Sequence, residues 1–159
     1  MNNPNIGIAN QSLKNVVDLL NPLLADEFVL YVKTRNYHWN VTGPHFHDLH
    51  KLFEAQYEEL DDIVDEVAER VRSLGGVSSG SMTEFVKQAR LKEKQGQLSP
   101  SQTMIQDLLE DHEAVIKTLR QDLDACANKF QDVGTSDFLT GLMEQHEKMS
   151  WMLRSSLEA

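Results

Sequence analysis

The sequence predicts an all-α protein, a four-helix bundle with one long crossover. Three observations predict it. Four long segments repeat apolar residues at i, i+3, i+4 and i+7, the period of a helix with one buried face. A chain that is 40% apolar with only 7% aromatics, eight Gly and four Pro suits helices. Between the second and third segments lies a long Ser-, Gly- and polar-rich stretch, where a simple up-down bundle would have a short loop.

The first helix is read from Leu13, Val16, Val17, Leu20, Leu24, Phe28 and Tyr31, and its next turns reach Arg35 and His38. Pro22 interrupts this stripe. Either the helix kinks there, or Asn21 caps a new helix with Pro22 at its first position. Gly43-Pro44 ends the element. The second helix is expected from about His45 to Leu74, with Leu49, Leu52, Phe53, Leu60, Ile63, Val64, Val67, Val71 and Leu74 inward and Gly75-Gly76 as the stop. A connector over Val77 to Ser81 leads to a short helical piece around Met82 to Ala89 and a polar link to Leu98. Ser99-Pro100 reads as an N-cap with Pro at the first helical position, opening a third helix through Leu108, Leu109, Val115, Ile116, Leu119 and Leu123. Gly134-Thr135 introduces the fourth, from Ser136 to about Leu157, built on Phe138, Leu139, Leu142, Met149 and Leu153.

At 159 residues the chain has room for one well-buried domain. Residues 1–11 read as a flexible N-terminal segment and residues 12–159 as the bundle. A formal charge of −10 argues against intrinsic attraction to DNA or anionic membrane, and favours solubility or cation traffic. Met1 to Gln11 shows no basic region followed by an apolar one, so no secretory signal is visible. No segment approaches the ~20 continuous apolar residues of a membrane span. A single cysteine, Cys126, excludes an intrachain disulfide and makes a reducing cytoplasm the default location. Cys126 lies near an apolar stripe and reads as packing.

Chemistry concentrates on the second helix. His50 with Glu54 and Asp65 with Glu69 are two i, i+4 pairs, each on one helical face. The pairs mirror each other: reversing the helix about the point between Glu59 and Leu60 swaps His50 with Glu69 and Glu54 with Asp65. One helix cannot join them, because the fifteen residues from His50 to Asp65 span roughly 22 Å. Two antiparallel copies could, and a two-fold dimer would make the site twice. Counting 100° per residue, these four residues point about 150° away from the helix's own apolar stripe. Glu58, Asp61 and Asp62 add to the acidity of that outer face, and a solvated charge face accounts for such residues as readily as a metal site does. Inward-facing Glu-x-x-His motifs, which hold di-iron centres inside larger bundles, are absent from the sequence. Mixed imidazole and carboxylate ligands still suit iron or another borderline divalent metal.

The run Lys33-Thr34-Arg35-Asn36-Tyr37-His38-Trp39-Asn40-Val41-Thr42-Gly43-Pro44 resembles the signature of the Dps miniferritins, the DNA-protection proteins of starved bacterial cells. The resemblance continues through Phe46, Leu49-His50, Leu52-Phe53, Tyr57, Glu59-Leu60-Asp61, Asp65, Ala68-Glu69-Arg70 and Leu74-Gly75. It resumes at Ser81-Met82-x-Glu84-Phe85 and at His146-Glu147-Lys148-x-x-Trp151-Met152-Leu153-Arg154. It implies a ferritin-like four-helix bundle, a dodecameric hollow shell and twelve ferroxidase sites at two-fold interfaces. Carried over by position, the metal ligands are His38, His50 and Glu54 of one subunit with Asp65 and Glu69 of its neighbour. The family usually places aspartate where Glu54 stands. Trp39 matches an aromatic that accepts stray oxidising equivalents beside the site, and reads equally as interface packing.

The implied reaction is oxidation of paired Fe(II) by hydrogen peroxide, with oxygen less preferred, followed by growth of a ferric oxyhydroxide core that protects against oxidative stress. The same resemblance puts cation pores near the start of the fourth helix, with Asp132, Asp137 and Glu144 as candidates. His45 and His47 lack evident metal partners. His112 and His146 fall on apolar stripes and read as core or interface histidines, and the six methionines as core fillers. Family members that condense DNA often use Lys-rich tails, but the first thirteen residues here contain no Lys or Arg, and only Ser155, Ser156, Leu157, Glu158 and Ala159 follow Arg154. Tail-mediated DNA binding is therefore not expected. The other readings are a nucleoid protein acting by coverage and a structural bundle without iron chemistry.

Overall fold

A computed structural model describes residues 4–93, 96 and 99–157. Helix α1 spans Asn10–Asn40, α2 Phe46–Ser73, α3 Met82–Gln88, α4 Ser101–Asp124 and α5 Val133–Ser155, with a π-helical turn over Ala125–Lys129 extending α4. Among the described residues there is no β-strand, and no helix is long and apolar enough to cross a membrane. The most extensive helix contacts join α1 to α2 and α4 to α5. The crossover between these two hairpins carries α3, which docks on α1 by stacking Phe85 on Phe28 with ring centroids 4.3 Å apart. The core runs down the middle of the bundle through Leu20, Leu24, Leu30, Phe53, Leu60, Ile63, Leu108, Leu119 and Leu139, all essentially inaccessible to solvent.

Of the two expectations at Pro22, the one in which Asn21 caps a new helix does not survive. α1 runs through Pro22 unbroken. A proline inside a helix costs about 3 kcal/mol, while each buried leucine contributes about 1.5–3 kcal/mol. Leu20, Leu23 and Leu24 are all buried around Pro22, so packing outweighs the penalty. Asn21 instead ties α1 to the crossover: its Nδ2 donates to the Val77 carbonyl at 3.2 Å and its Oδ1 accepts from the Ser79 amide at 2.9 Å.

Three further boundaries differ from expectation. α1 begins at Asn10, inside the segment expected to be flexible, and Ile8 packs against the core. Ser99 is not the cap of α4: Pro100, extended at φ −54° and ψ 150°, takes that position and the helix starts at Ser101. α5 begins at Val133 because the buried Asp132 accepts the Thr135 amide at 2.9 Å and caps the helix three residues before Ser136.

The stop after α2 behaves as the paired glycines suggested. Gly75 takes φ +85°, a conformation that suits glycine, and a Cβ there would stand 2.6 Å from Pro4 Cδ. The chain before α1 thus rests on the end of α2. The short crossover helix α3 is fixed by a full capping box: the Ser81 hydroxyl accepts the Glu84 amide and the Glu84 carboxylate accepts the Ser81 amide.

Candidate metal centre

His38 stands in the last turn of α1 and His50 in the second turn of α2, on either side of the loop that joins the hairpin. Their rings stack with centroids 3.8 Å apart and planes 20° apart. The His38 Nδ1–H donates to the His50 carbonyl at 2.8 Å, and the His50 Nδ1–H donates to the His38 carbonyl at 2.9 Å. A carbonyl can only accept, so the proton of each neutral ring is on Nδ1 and both Nε2 lone pairs are left for a ligand. Tyr57 meets the His38 ring edge-on at 5.2 Å, and Phe46 lies 5.1 Å from the His50 ring. His38 is buried and His50 half-buried, so neither ring is free to turn.

Glu54 is one helical turn beyond His50, with its side chain 30% exposed. The Lys51 ammonium stands 2.5 Å from Glu54 Oε2. That hydrogen bond first, and the Lys51 charge behind it, hold the Glu54 carboxyl below its usual range against the opposing effect of desolvation. Asp65 and Glu69 are exposed on the far half of α2, and neither carboxylate has a hydrogen-bond or ion-pair partner among the described residues. His38, His50 and Glu54 therefore collect at one end of the α1–α2 hairpin, while Asp65 and Glu69 face solvent at the other. Among the described residues of one subunit, no three His, Cys, Asp or Glu side chains converge closely enough to hold a metal ion.

Trp39 is 65% exposed. Its ring is covered by the Arg35 guanidinium at 5.6 Å, and the same guanidinium lies over Tyr57 at 4.8 Å and Tyr31 at 5.7 Å. Of the pore candidates, Asp137 and Glu144 are exposed, but Asp132 is not available to line a pore. It is 2% exposed, caps α5 and pairs with Arg70 at 3.3 Å, so the residue is consumed in holding α5 to α2. His45 and His47 are exposed.

His112 and His146 are fully buried, as their apolar stripes implied, and they are joined to a residue the sequence reading missed. His146 Nε2 lies 3.1 Å from Glu27 Oε1, and His146 Nδ1 lies 2.8 Å from His112 Nδ1. This string ties α1, α5 and α4 together through the core. Burial first, and then the neighbouring His146, hold the His112 imidazole well below its ordinary range. Glu27 Oε2, His112 Nε2, Gln56 Oε1 and Ser150 Oγ have no hydrogen-bond partner among the described residues. The signal for Glu27 was available, because it occupies a stripe position of α1, four residues after Leu23 and three before Leu30.

Comparison with known proteins places the fold in a family. The family model for the ferritin-like domain matches residues 17–159. An uncharacterised low temperature-induced protein of Nostoc is 49% identical over 97% of this chain and 86% of its own length. DNA protection during starvation protein 2 of Bacillus anthracis is 35% identical over 91% of this chain and 97% of its own. Among solved structures, the Dps protein of Vibrio cholerae O1 superposes with a TM-score of 0.92 at 31% identity, covering 99% of this chain and 98% of that one; it is described as a member of a broad superfamily of ferritin-like diiron-carboxylate proteins. Dps from Thermosynechococcus elongatus gives a TM-score of 0.89 at 34% identity, with 94% and 95% covered. On the sequence match, the fold and the helix-borne carboxylate and imidazole set, the chain belongs to the ferritin-like domain family, and within it to the Dps proteins.

Proposed function

We propose that this protein is an iron-sequestering ferroxidase that oxidises Fe(II) with hydrogen peroxide, and oxygen less readily, at sites shared across a two-fold dimer interface. The observation that carries the reading is the arrangement of the α1–α2 hairpin: two locked imidazoles with free Nε2 atoms, His38 on α1 and His50 on α2, beside Glu54 at one end, and the exposed Asp65 and Glu69 of α2 at the other. An antiparallel second copy would bring Asp65 and Glu69 of one subunit to His38, His50 and Glu54 of the other. Twelve subunits arranged as pairs in a closed shell would then carry twelve sites around a cavity for ferric oxyhydroxide. A cytoplasmic setting, where Fe(II) and peroxide meet, fits this work.

The donor set suits iron as substrate. Imidazole nitrogen binds Fe(II) well, and several carboxylates favour the harder Fe(III) once the electron has left. Peroxide takes one electron from each of two neighbouring Fe(II) ions, so its O–O bond is broken in a two-electron step without releasing hydroxyl radical. The chain's own contribution is to fix both histidine tautomers and to keep Glu54 ionised through Lys51. Trp39, one residue after His38 and covered by Arg35, would be the residue to take up a stray oxidising equivalent.

Complementation tests the sharing. A His50→Ala subunit and an Asp65→Ala subunit are each expected to lose peroxide-driven Fe(II) oxidation. In a mixed dimer one of the two sites regains every ligand, so after complete subunit exchange at equal amounts about a quarter of the wild-type sites should return. No recovery after proven exchange would refute a site built from two chains. Nucleoid coverage is a second reading, favoured by relatives named for DNA protection. With a formal charge of −10 it would require a local basic patch or bridging cations.

A further inference from the structure

We infer that Lys51 is a built-in counter-ion that competes with the incoming metal for Glu54, and so sets the affinity of the weaker of two metal positions in the shared site. The inference rests on the ferroxidase reading above and adds a residue to it. Of the three carboxylates assigned to the site, only Glu54 already holds a cation: Lys51 Nζ stands 2.5 Å from its Oε2, while Asp65 and Glu69 have no side-chain partner among the described residues.

Position and exposure make this contact a displaceable one. Lys51 follows His50 directly and stands three residues before Glu54, so its ammonium reaches the carboxylate from the flank of α2, beside the imidazoles. In the single subunit its side chain is 61% exposed, on a flexible four-carbon stem that turns aside with little loss of packing. An exposed ion pair of this kind shifts an equilibrium only about two- to five-fold. A divalent cation can therefore displace it, but pays twice: the ion pair must open, and the released ammonium stays tethered a few ångströms from a doubly charged ion. Together these give an expected weakening of about three- to ten-fold at the Glu54 position. A metal position bounded by His38, His50 and the partner's acids would not carry this penalty. The two positions would then fill in order, with the Glu54 side taking metal last and giving it up first.

The test is an anaerobic Co(II) titration of the assembled protein, using Co(II) as a probe whose visible bands report coordination without oxidation. Wild-type protein should bind two Co(II) per shared site with unequal affinity. Lys51→Met should tighten the weaker step about three- to ten-fold and leave the tighter step unchanged, while Lys51→Arg should retain the wild-type weaker step. A weaker step of unaltered affinity in Lys51→Met, with two Co(II) still bound, would overturn the role of Lys51 alone. Wild-type protein that binds no Co(II) would overturn the shared metal site and this inference with it.

Discussion

His38 and His50 lock each other: each ring's Nδ1–H is donated to the other residue's backbone carbonyl, at 2.8 and 2.9 Å. Neither imidazole is therefore oriented independently of the other residue. Removing one ring leaves in place the backbone carbonyl that accepts the other's Nδ1–H, but takes away the face the other ring stacks on. His38→Ala should thus weaken metal binding both by the lost nitrogen and by the disorientation of His50, a type of loss typically worth 10- to 100-fold. The double variant His38→Ala, His50→Ala should lose clearly less than the sum of the two singles, because the orientation effect is counted twice in that sum. A Co(II) titration cycle over the four proteins measures this. Additive losses would mean that the stacking of the two rings has no influence on binding.

Acid should loosen the bundle through His112. Its imidazole is fully buried and held well below the ordinary value of 6.5, first by burial and then by His146. The native state therefore leaves His112 neutral at pH values where the unfolded chain protonates it. The unfolded state binds more protons, so stability falls as pH drops below about 6.5, by up to about 1.4 kcal/mol per pH unit from this group, until the folded value is reached. Denaturant unfolding at pH 7.5, 6.5 and 5.5 checks the slope, with His112→Gln as the comparison. An equal slope in that variant would assign the acid sensitivity elsewhere.

Glu27 should prove a keystone of the same string. It is fully buried and accepts His146 Nε2 at 3.1 Å. Glu27→Ala leaves a buried imidazole nitrogen without its partner and opens a cavity, a combination that costs about 3–5 kcal/mol. For a chain of this size the thermal midpoint should drop by roughly 10 °C. Glu27→Gln keeps the shape and an accepting oxygen, and should cost distinctly less. A Glu27→Ala midpoint within a degree or two of wild type would show that His146 is held by packing alone.

The parts of this protein that were legible in sequence are those set by neighbours along the chain. α2 was expected from about His45 to Leu74 and runs from Phe46 to Ser73, because Gly43-Pro44 and Gly75-Gly76 are local signals that no tertiary contact overrides. The pairing of His50 with Glu54 and of Asp65 with Glu69 on one face followed from spacing for the same reason. What stayed hidden depends on contacts between distant segments. His38 reaches His50 across a turn, so its place in the site came only from resemblance. The early start of α5 depends on the Asp132 side chain, whose use by Thr135 and Arg70 also removed it from the pore candidates. Lys51 was not singled out in the sequence; its relation to Glu54 rests on where its ammonium lies in the fold.

Cys126 should be inert both to thiol reagents and to the peroxide this protein is proposed to consume. The side chain has no exposure and is carried by the π-helical turn that extends α4. Burial first, and the charges of Asp132 and Asp122 next, push the thiol up to about 12 against the opposing pull of Arg70. The reactive species is the thiolate, present at pH 8 in about one molecule in ten thousand at that value. Reaching it also requires unwinding a turn whose end is closed by the Phe130 amide on the Ala125 carbonyl at 3.0 Å and the Asp132 amide on the Cys126 carbonyl at 2.9 Å. Native protein at pH 8 should therefore show no labelling by a disulfide reagent over minutes, and one thiol per subunit once denaturant is added. Peroxide at concentrations that turn over Fe(II) should leave Cys126 reduced, since oxidation to the sulfenic acid begins from the same thiolate. Stoichiometric labelling of the native protein would mean that the end of α4 opens on that timescale, and the extension through Lys129 would then be a mobile element rather than part of the core.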